Sequence, residues 1–513
     1  MVRLLNLSHA ADPPSELGLV FIQIDGLGWT EFRRGLRNGN LPFLKWLGRK
    51  KHNYVSYPHY SGLPSNTPGV QGAIFYGVNA CVPAFSFVSR ASGRVCHMFD
   101  QGASGAVEAC LQKEGEALLT GGSSYGNIFS GGADAAHFCS TSMGWVGFFK
   151  ALNPLSLSLA IMLNLHIVVR AAFLVVLECL LAIVDCGRGI LRGLGLRKEL
   201  TFIPLRVAIC IVLREVITTA VKIDIARGVR VIHVNLAGYD EQAHHRGPTS
   251  SLARWSLQGI DSAISRIWHA ATRATRRKYL VWIYSDHGQE TTLPYVIEHD
   301  RSIQEAVSEV FERQLKEQSW EIEHAQSLPH WRANLLRTQP LTAPAQAAVT
   351  EDRPRVIVAA MGPVGHIYAP KELAPEAKTK LAEALVSTAK IPLVLAAAEP
   401  GRARAWTEQG VFNLPEDAHK VVGDNHPYLA EVAEDLVKLC HHADAGTFVI
   451  SGWRPGKPGT FPREFGAHAG PGPEETNGFA YLPPGALTLP EGRTYVRNDD
   501  LRKAARRVLA RAS

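Results

Sequence analysis

Asp286-His287-Gly288 follows directly on the apolar run Tyr279–Tyr284, so one turn at the end of an expected strand offers a carboxylate and an imidazole. Both are hard-to-borderline metal ligands. Alone, the tripeptide suits a helix cap or a loop just as well. Three further strand-like runs end in matching chemistry. Leu19–Ile24 leads into Asp25-Gly26, Val229–Asn235 into Gly238-Tyr239-Asp240 and His244, and Thr447–Ile450, after a loop, into Gly466-Ala467-His468. In open α/β sheets ligands bind beyond the carboxyl ends of the strands, so these ends are expected to meet at one site. Asp25, Asp240, His244, Asp286, His287 and His468 make six potential ligands, enough for two ions with positions left open for a substrate.

A hydroxyl belongs with them. Leu63-Pro64-Ser65-Asn66-Thr67-Pro68-Gly69 opens a helix-like segment, with Thr67 expected as N-cap and Pro68 at the first helical position. Capping by itself would account for Thr67. At a helix N-terminus, however, the macrodipole favours negative charge. A metal ion there would lower the hydroxyl pKa and make Thr67 a nucleophile.

In this order the motifs resemble the alkaline phosphatase superfamily, and within it the type I phosphodiesterase/nucleotide pyrophosphatase branch. The series runs Ile24-Asp25-Gly26, Thr67, Asp240 to His244 leading into Gly247-Pro248, Asp286-His287-Gly288, and His468, covering about Gly18 to Pro483. The stretch Tyr239 to His245 is also similar to a bacterial subgroup in which the enzyme accompanies membrane-associated segments. The resemblance implies that Asp240, His244 and His468 hold one divalent ion. Asp25, Asp286, His287 and the Thr67 oxygen would hold the other. It further implies in-line attack by Thr67 on a phosphate ester, through a covalent phospho-threonine. Asp and His without Cys suit Zn²⁺, with Mn²⁺ as the alternative. One position departs from the pattern: the family's phosphate-binding Asn, about twenty residues past the nucleophile, has no counterpart in Pro83–Phe87. Asn79 falls too early, and Asn66, beside the expected cap, is a weak candidate for binding substrate.

The intervening sequence supplies the elements that must hold these groups. Leu257, Ile260, Ile264, Ile267 and Ala271 keep helical spacing between two of the metal-bearing runs, which makes a β-α-β unit and a parallel sheet. Further strands are expected at Arg355–Ala359 and Pro392–Leu395, and Gln339–Ala348 reads as a surface loop. The fold class is therefore α/β: an alkaline-phosphatase-like core, a mostly parallel sheet sandwiched by helices. With 513 residues, 46% of them hydrophobic and 20% charged, the chain can bury a large core. A net charge of +7 is mild. The basic cluster Arg273–Lys278 reads as a solvated helix end, so no nucleic-acid partner is expected. Eight cysteines lie scattered, without metal or disulfide spacing. No secretory signal is evident at the start, and a cytoplasmic location is the default expectation.

Leu152–Val221 interrupts this core between Thr67 and Asp240. Leu155–Val169 and Phe173–Val184 are nearly all apolar, broken by His166, Arg170 and Glu178 and followed by Arg188, Arg192, Arg197 and Lys198. Charge inside a bilayer is expensive. A buried or oligomer-forming helical insertion, or a helical pair resting on a membrane with its basic residues at anionic headgroups, are the leading readings, with a true span behind them. The expected organisation is catalytic core over 15–150 and 223–485, an apolar insertion over 151–222 contacting membrane or a second subunit through 155–184, and a helical tail over 486–513. The expected function is two-metal phosphoester hydrolysis, a phosphodiesterase first. A phosphomonoesterase, phosphonate hydrolase or phosphotransferase could use the same site. A membrane-associated interaction protein with a degenerate site is the alternative of another class.

Overall fold

The computed structural model describes residues 10, 17–142, 165–191, 200, 203–204, 206–314, 321–324, 355–369 and 372–510. Its centre is an eight-stranded sheet. In spatial order the strands are Val496–Arg497, Val55–Tyr60, Asn477–Leu482, Tyr279–Tyr284, Gly18–Ile24, Val231–Leu236, Ser123–Tyr125 and Ala135–His137. The last five run parallel, and Asn477–Leu482 is antiparallel to both of its neighbours. The α/β, mostly parallel architecture read from the sequence is thus observed.

The middle strand shows why. Gly18–Ile24 is buried along its whole length, as a near-continuous apolar run in a parallel sheet must be. Its side chains alternate between two cores. Val20, Ile22 and Ile24 pack with Ile260, Ile264 and Ile267 of the helix Ser251–Thr272. Leu19 and Phe21 pack with Val70 and Ile74 of the helix Thr67–Tyr76, and with Leu501 of the helix Asn498–Ala510. The helix Arg214–Arg227 joins the first core through Ile217, Val221 and Ile225.

A second, seven-stranded sheet, largely antiparallel, gathers Arg355–Ala360, Val364–Tyr368, Phe448–Ser451 and Leu393–Ala397 among others. The strand expected at Thr447–Ile450 belongs here and not in the central sheet. His468 therefore arrives by another route: it follows the short strand Gly466–Ala467, which pairs with Glu290–Thr291 just beyond Asp286-His287. Backbone pairing over two residues substitutes for the strand end that the sequence pattern suggested.

Two local expectations need correction. The N-cap of the Thr67–Tyr76 helix is Asn66, whose side chain accepts from Gly69 N at 2.9 Å; Thr67 is the first helical residue and Pro68 the second. Proline is as well accommodated there, since that N–H lacks a helical partner anyway. The basic cluster after Thr272 is only partly solvated, because Arg277 is buried and donates through Nε to Gly228 O. Gln339–Ala348 and the first half of the apolar segment lie outside the described residues.

From Leu165 to Leu191 the apolar segment is one helix. Arg170 donates to Ser262 Oγ, while Glu178 forms a buried pair with Arg206 and accepts from Trp255 Nε1. The side chain of His166 lies outside the description. No helix among the described residues is long and apolar enough to cross a membrane.

Candidate active site

Asp25 follows the last residue of Gly18–Ile24, and Asp286 and His287 stand two and three residues past Tyr284 on the neighbouring strand. Asp240 occupies the first turn of the helix Gly238–Arg246, entered directly from Val231–Leu236. One helical turn on, His244 lies on the same face. Three adjacent parallel strands thus deliver five of the expected residues at their carboxyl ends, as parallel topology favours. Close approach has a steric condition at Gly26. Its φ of +71° suits glycine, and a Cβ there would lie 2.4 Å from Asp240 Oδ1.

The seven residues do come together. Thr67 Oγ1 is 3.4 Å from Asp25 Oδ1 and 3.4 Å from His287 Nε2. Asp25, Asp286 and His287 each offer an atom within 4.8 Å of the others, and so do Asp240, His287 and His468. His244 Nε2 is 3.3 Å from Asp240 Oδ2, and His468 Nε2 is 3.8 Å from Asp240 Oδ1. His287 stands between the two groups, its ring stacked on that of His468 with centroids 3.6 Å apart.

The histidines share one pattern. Each has Nδ1 engaged outside the cluster and Nε2 turned into it. Nδ1 of His287 donates to Gly288 O at 3.0 Å and that of His468 to Ser65 O at 3.0 Å, while that of His244 faces Glu464 Oε2 at 3.2 Å. For His287 and His468 the backbone carbonyl fixes the tautomer with the Nε2 lone pair free, the state a metal ligand needs. Asp286 Oδ2 is buried and accepts no hydrogen bond. An orphaned buried carboxylate oxygen normally costs stability, and a cation would satisfy it. The donor set and this orphan fit two divalent ions.

Charge accounting leads to the same place. Burial, reinforced by Asp286 and Asp240, pushes Asp25 well above the usual carboxylate range. Burial and Asp240 push Asp286 up to about 7. Desolvation opposes the charge of the half-buried Asp240 too, yet His244, His468 and His287 hold it below its usual range. Burial opposes the charged form of His244, but Asp240 and Glu464 raise it well above the ordinary histidine value. Crowded carboxylates in a dry site are relieved by cations or by protons.

Sequence reasoning missed several supporting groups. Asn235 Nδ2 donates to Asp25 Oδ2 at 2.7 Å, and Gln289 Nε2 to Asp240 Oδ1. Both adjoin motifs already in view, as the end of the strand that leads to Asp240 and the residue after Asp286-His287-Gly288. Ser65 Oγ bridges Ala469 N and Gly470 O, tying the Thr67 turn to the His468 loop. No spacing rule announces Ser65 or Glu464.

The family model for type I phosphodiesterase/nucleotide pyrophosphatase matches residues 177–424, which include Asp240, His244, Asp286 and His287. No curated protein matches the chain at a significant level. Among solved structures, the wild-type alkaline phosphatase PafA superposes with a TM-score of 0.54 at 11% identity, over 98% of this chain and 96% of that one. The chain has the alkaline-phosphatase fold. Two other structures superpose less closely. Phosphonoacetate hydrolase from Sinorhizobium meliloti 1021, in complex with phosphonoacetate, gives 0.47 at 12% identity over 96% of each chain. Murine ectonucleotide pyrophosphatase/phosphodiesterase 5 gives 0.47 at 10% identity, over 96% of this chain and 95% of that one. The resemblance seen in the motifs is to a phosphoester-hydrolase family, and the alkaline-phosphatase fold brings those motifs to one edge of its sheet.

Proposed function

We propose that this protein is a two-metal phosphodiesterase with Thr67 as its nucleophile. The observation that carries the reading is the meeting of Asp25, Thr67, Asp240, His244, Asp286, His287 and His468 at the carboxyl edge of the parallel strands. Asp240, His244 and His468 would hold one divalent ion, and Asp25, Asp286, His287 and Thr67 Oγ1 the other. Zn²⁺ suits these ligands best, with Mn²⁺ as the alternative. Bound divalent ions neutralise charge on a phosphoryl group and lower the pKa of a nearby hydroxyl.

The chain's own groups do the rest. Thr67, at the start of its helix, presents Oγ1 where the backbone N–H groups favour an anion. Its hydroxyl points at Asp25 Oδ1, which leaves an oxygen lone pair to attack phosphorus. Attack forms the Thr67 Oγ1–phosphorus bond and breaks the bond from phosphorus to the ester oxygen opposite; the hydroxyl proton passes by way of Asp25 to solvent, and the departing oxygen takes a proton from water. Water then cleaves the phospho-threonine and restores the hydroxyl. Asn235 holds Asp25 and Gln289 holds Asp240 in place throughout. Asn66 is the candidate donor to a phosphate oxygen: it is fully buried, its Oδ1 is used by the helix cap, and its Nδ2 has no partner.

The match to the type I phosphodiesterase/nucleotide pyrophosphatase family model favours a diester over a monoester. Metal analysis of the purified protein, with rates on p-nitrophenyl diesters, monoesters and phosphonates, tests the reading. Two equivalents of bound metal and a diester preference are expected. A metal-free, inactive protein would favour the degenerate-site alternative, and a monoester preference would favour the phosphomonoesterase alternative.

A further inference from the structure

We propose that Glu464 positions His244 for metal binding. The inference rests on reading this site as a metal site. His244 is held from both ends of its ring: Nε2 faces Asp240 Oδ2 at 3.3 Å, and Nδ1 donates to Glu464 Oε2 at 3.2 Å. A carboxylate on the far nitrogen of a ligating imidazole fixes ring orientation and tautomer and raises the basicity of the ligating nitrogen. Of the three site histidines, only His244 has a side-chain carboxylate in that place. His287 and His468 use backbone carbonyls.

Glu464 is itself held in register. The next residue, Phe465, donates its N–H to His244 O at 2.9 Å. Thr292 Oγ1 donates to Glu464 O at 3.2 Å, and Thr292 N to Phe465 O at 3.1 Å. At Gly466 the backbone runs so close to the site helix that a Cβ would lie 2.4 Å from Ala243 O. His468 follows two residues later. One short segment, Glu464 to His468, therefore orients one ligand of an ion and supplies another. Glu464 is a positioning residue, since it acts through His244.

Zinc titration of chelator-stripped protein against a chromophoric competitor tests this without reference to turnover. The wild type should bind in two steps. Glu464→Ala should weaken one step about 10- to 100-fold and leave the other unchanged, the usual cost of losing such a partner. Glu464→Gln keeps an acceptor for the Nδ1 proton and should recover most of the loss. If the alanine variant does not fold, Glu464→Asp, which withdraws the carboxylate by one methylene, should show the same one-step weakening. Equal weakening of both steps, or none, overturns the role of Glu464. A wild type that binds no zinc at all overturns the metal reading itself, before any variant is compared.

Discussion

At the scale of single residues, Thr67 and Asn66 divide the work of one helix start. Thr67 is one of four groups assigned to its ion but, among the described residues, the only hydroxyl placed to attack. Thr67→Ala should therefore lose several orders of magnitude in turnover, on the scale of nucleophile removal, while zinc stoichiometry stays near that of the wild type. Thr67→Ser keeps the oxygen and should retain activity. An alanine variant with most of its diesterase rate would mean that water attacks directly. Asn66 serves two roles that one substitution separates. Asn66→Ser preserves a good N-cap and deletes the unpartnered Nδ2. The melting temperature should hold while kcat/KM falls about 100-fold, as when an oxyanion donor is lost. If kcat/KM is unchanged, Asn66 is a cap and nothing more.

At the scale of elements, the helix Leu165–Leu191 stands out because its outward face carries a row of exposed apolar side chains. The inner face is pinned by the buried Glu178–Arg206 pair, by Asp185 with Arg246 at 2.9 Å, and by Arg170 on Ser262. Arg246 closes the helix that carries Asp240 and His244, so the apolar helix is fastened directly to the site. Held this way, it cannot roll to bury its outer stripe. Leu165, Val169, Phe173, Val176, Leu180 and Ile183 remain between 57 and 65% exposed. Exposed apolar patches of this kind mark contact surfaces. We expect the wild type to float with anionic vesicles or to elute as an oligomer. Phe173→Glu with Leu180→Glu should abolish either behaviour and leave hydrolysis of small soluble diesters unchanged. A monomeric wild type that ignores vesicles would refute the contact surface.

At the scale of the whole molecule, the loop carrying His468 is fastened by buried acids. Glu475 accepts from Gly470 N at 2.8 Å and Gly472 N at 2.9 Å, and Glu290 accepts from Glu474 N at 3.1 Å. Burial and the charge of Glu290 push Glu475 up to about 8, while burial, with Glu474 nearby, pushes Glu290 up to about 7. The sign follows from linkage. In the folded protein both acids keep protons that the unfolded chain releases near the ordinary value of 4.5. Their contribution to stability is complete below that value and is lost as pH rises through about 7 to 8. Chelator-treated protein should therefore melt at a lower temperature at pH 9 than at pH 6, and Glu475→Gln should flatten that decline. Parallel declines in both proteins would place the proton elsewhere.

The sequence by itself determined which side chains gather at the site and most of the frame that holds them. Strands with continuous apolar runs must be buried on both faces, and in a parallel sheet their carboxyl ends point the same way. Asp25, Asp240, His244, Asp286 and His287 were legible for that reason. Thr67 was legible as the start of a helix, although its neighbour Asn66 proved to be the cap, because both residue types can fill that position. Tertiary structure alone decided what depends on contacts between distant segments. Ser65, Asn235, Gln289 and Glu464 act on residues between 49 and 404 positions away. His468 reaches the site by pairing two backbone residues with Glu290–Thr291, and no periodicity encodes such a pairing. Whether an apolar helix is buried or bare is likewise set by what packs against it, which its own residues cannot specify.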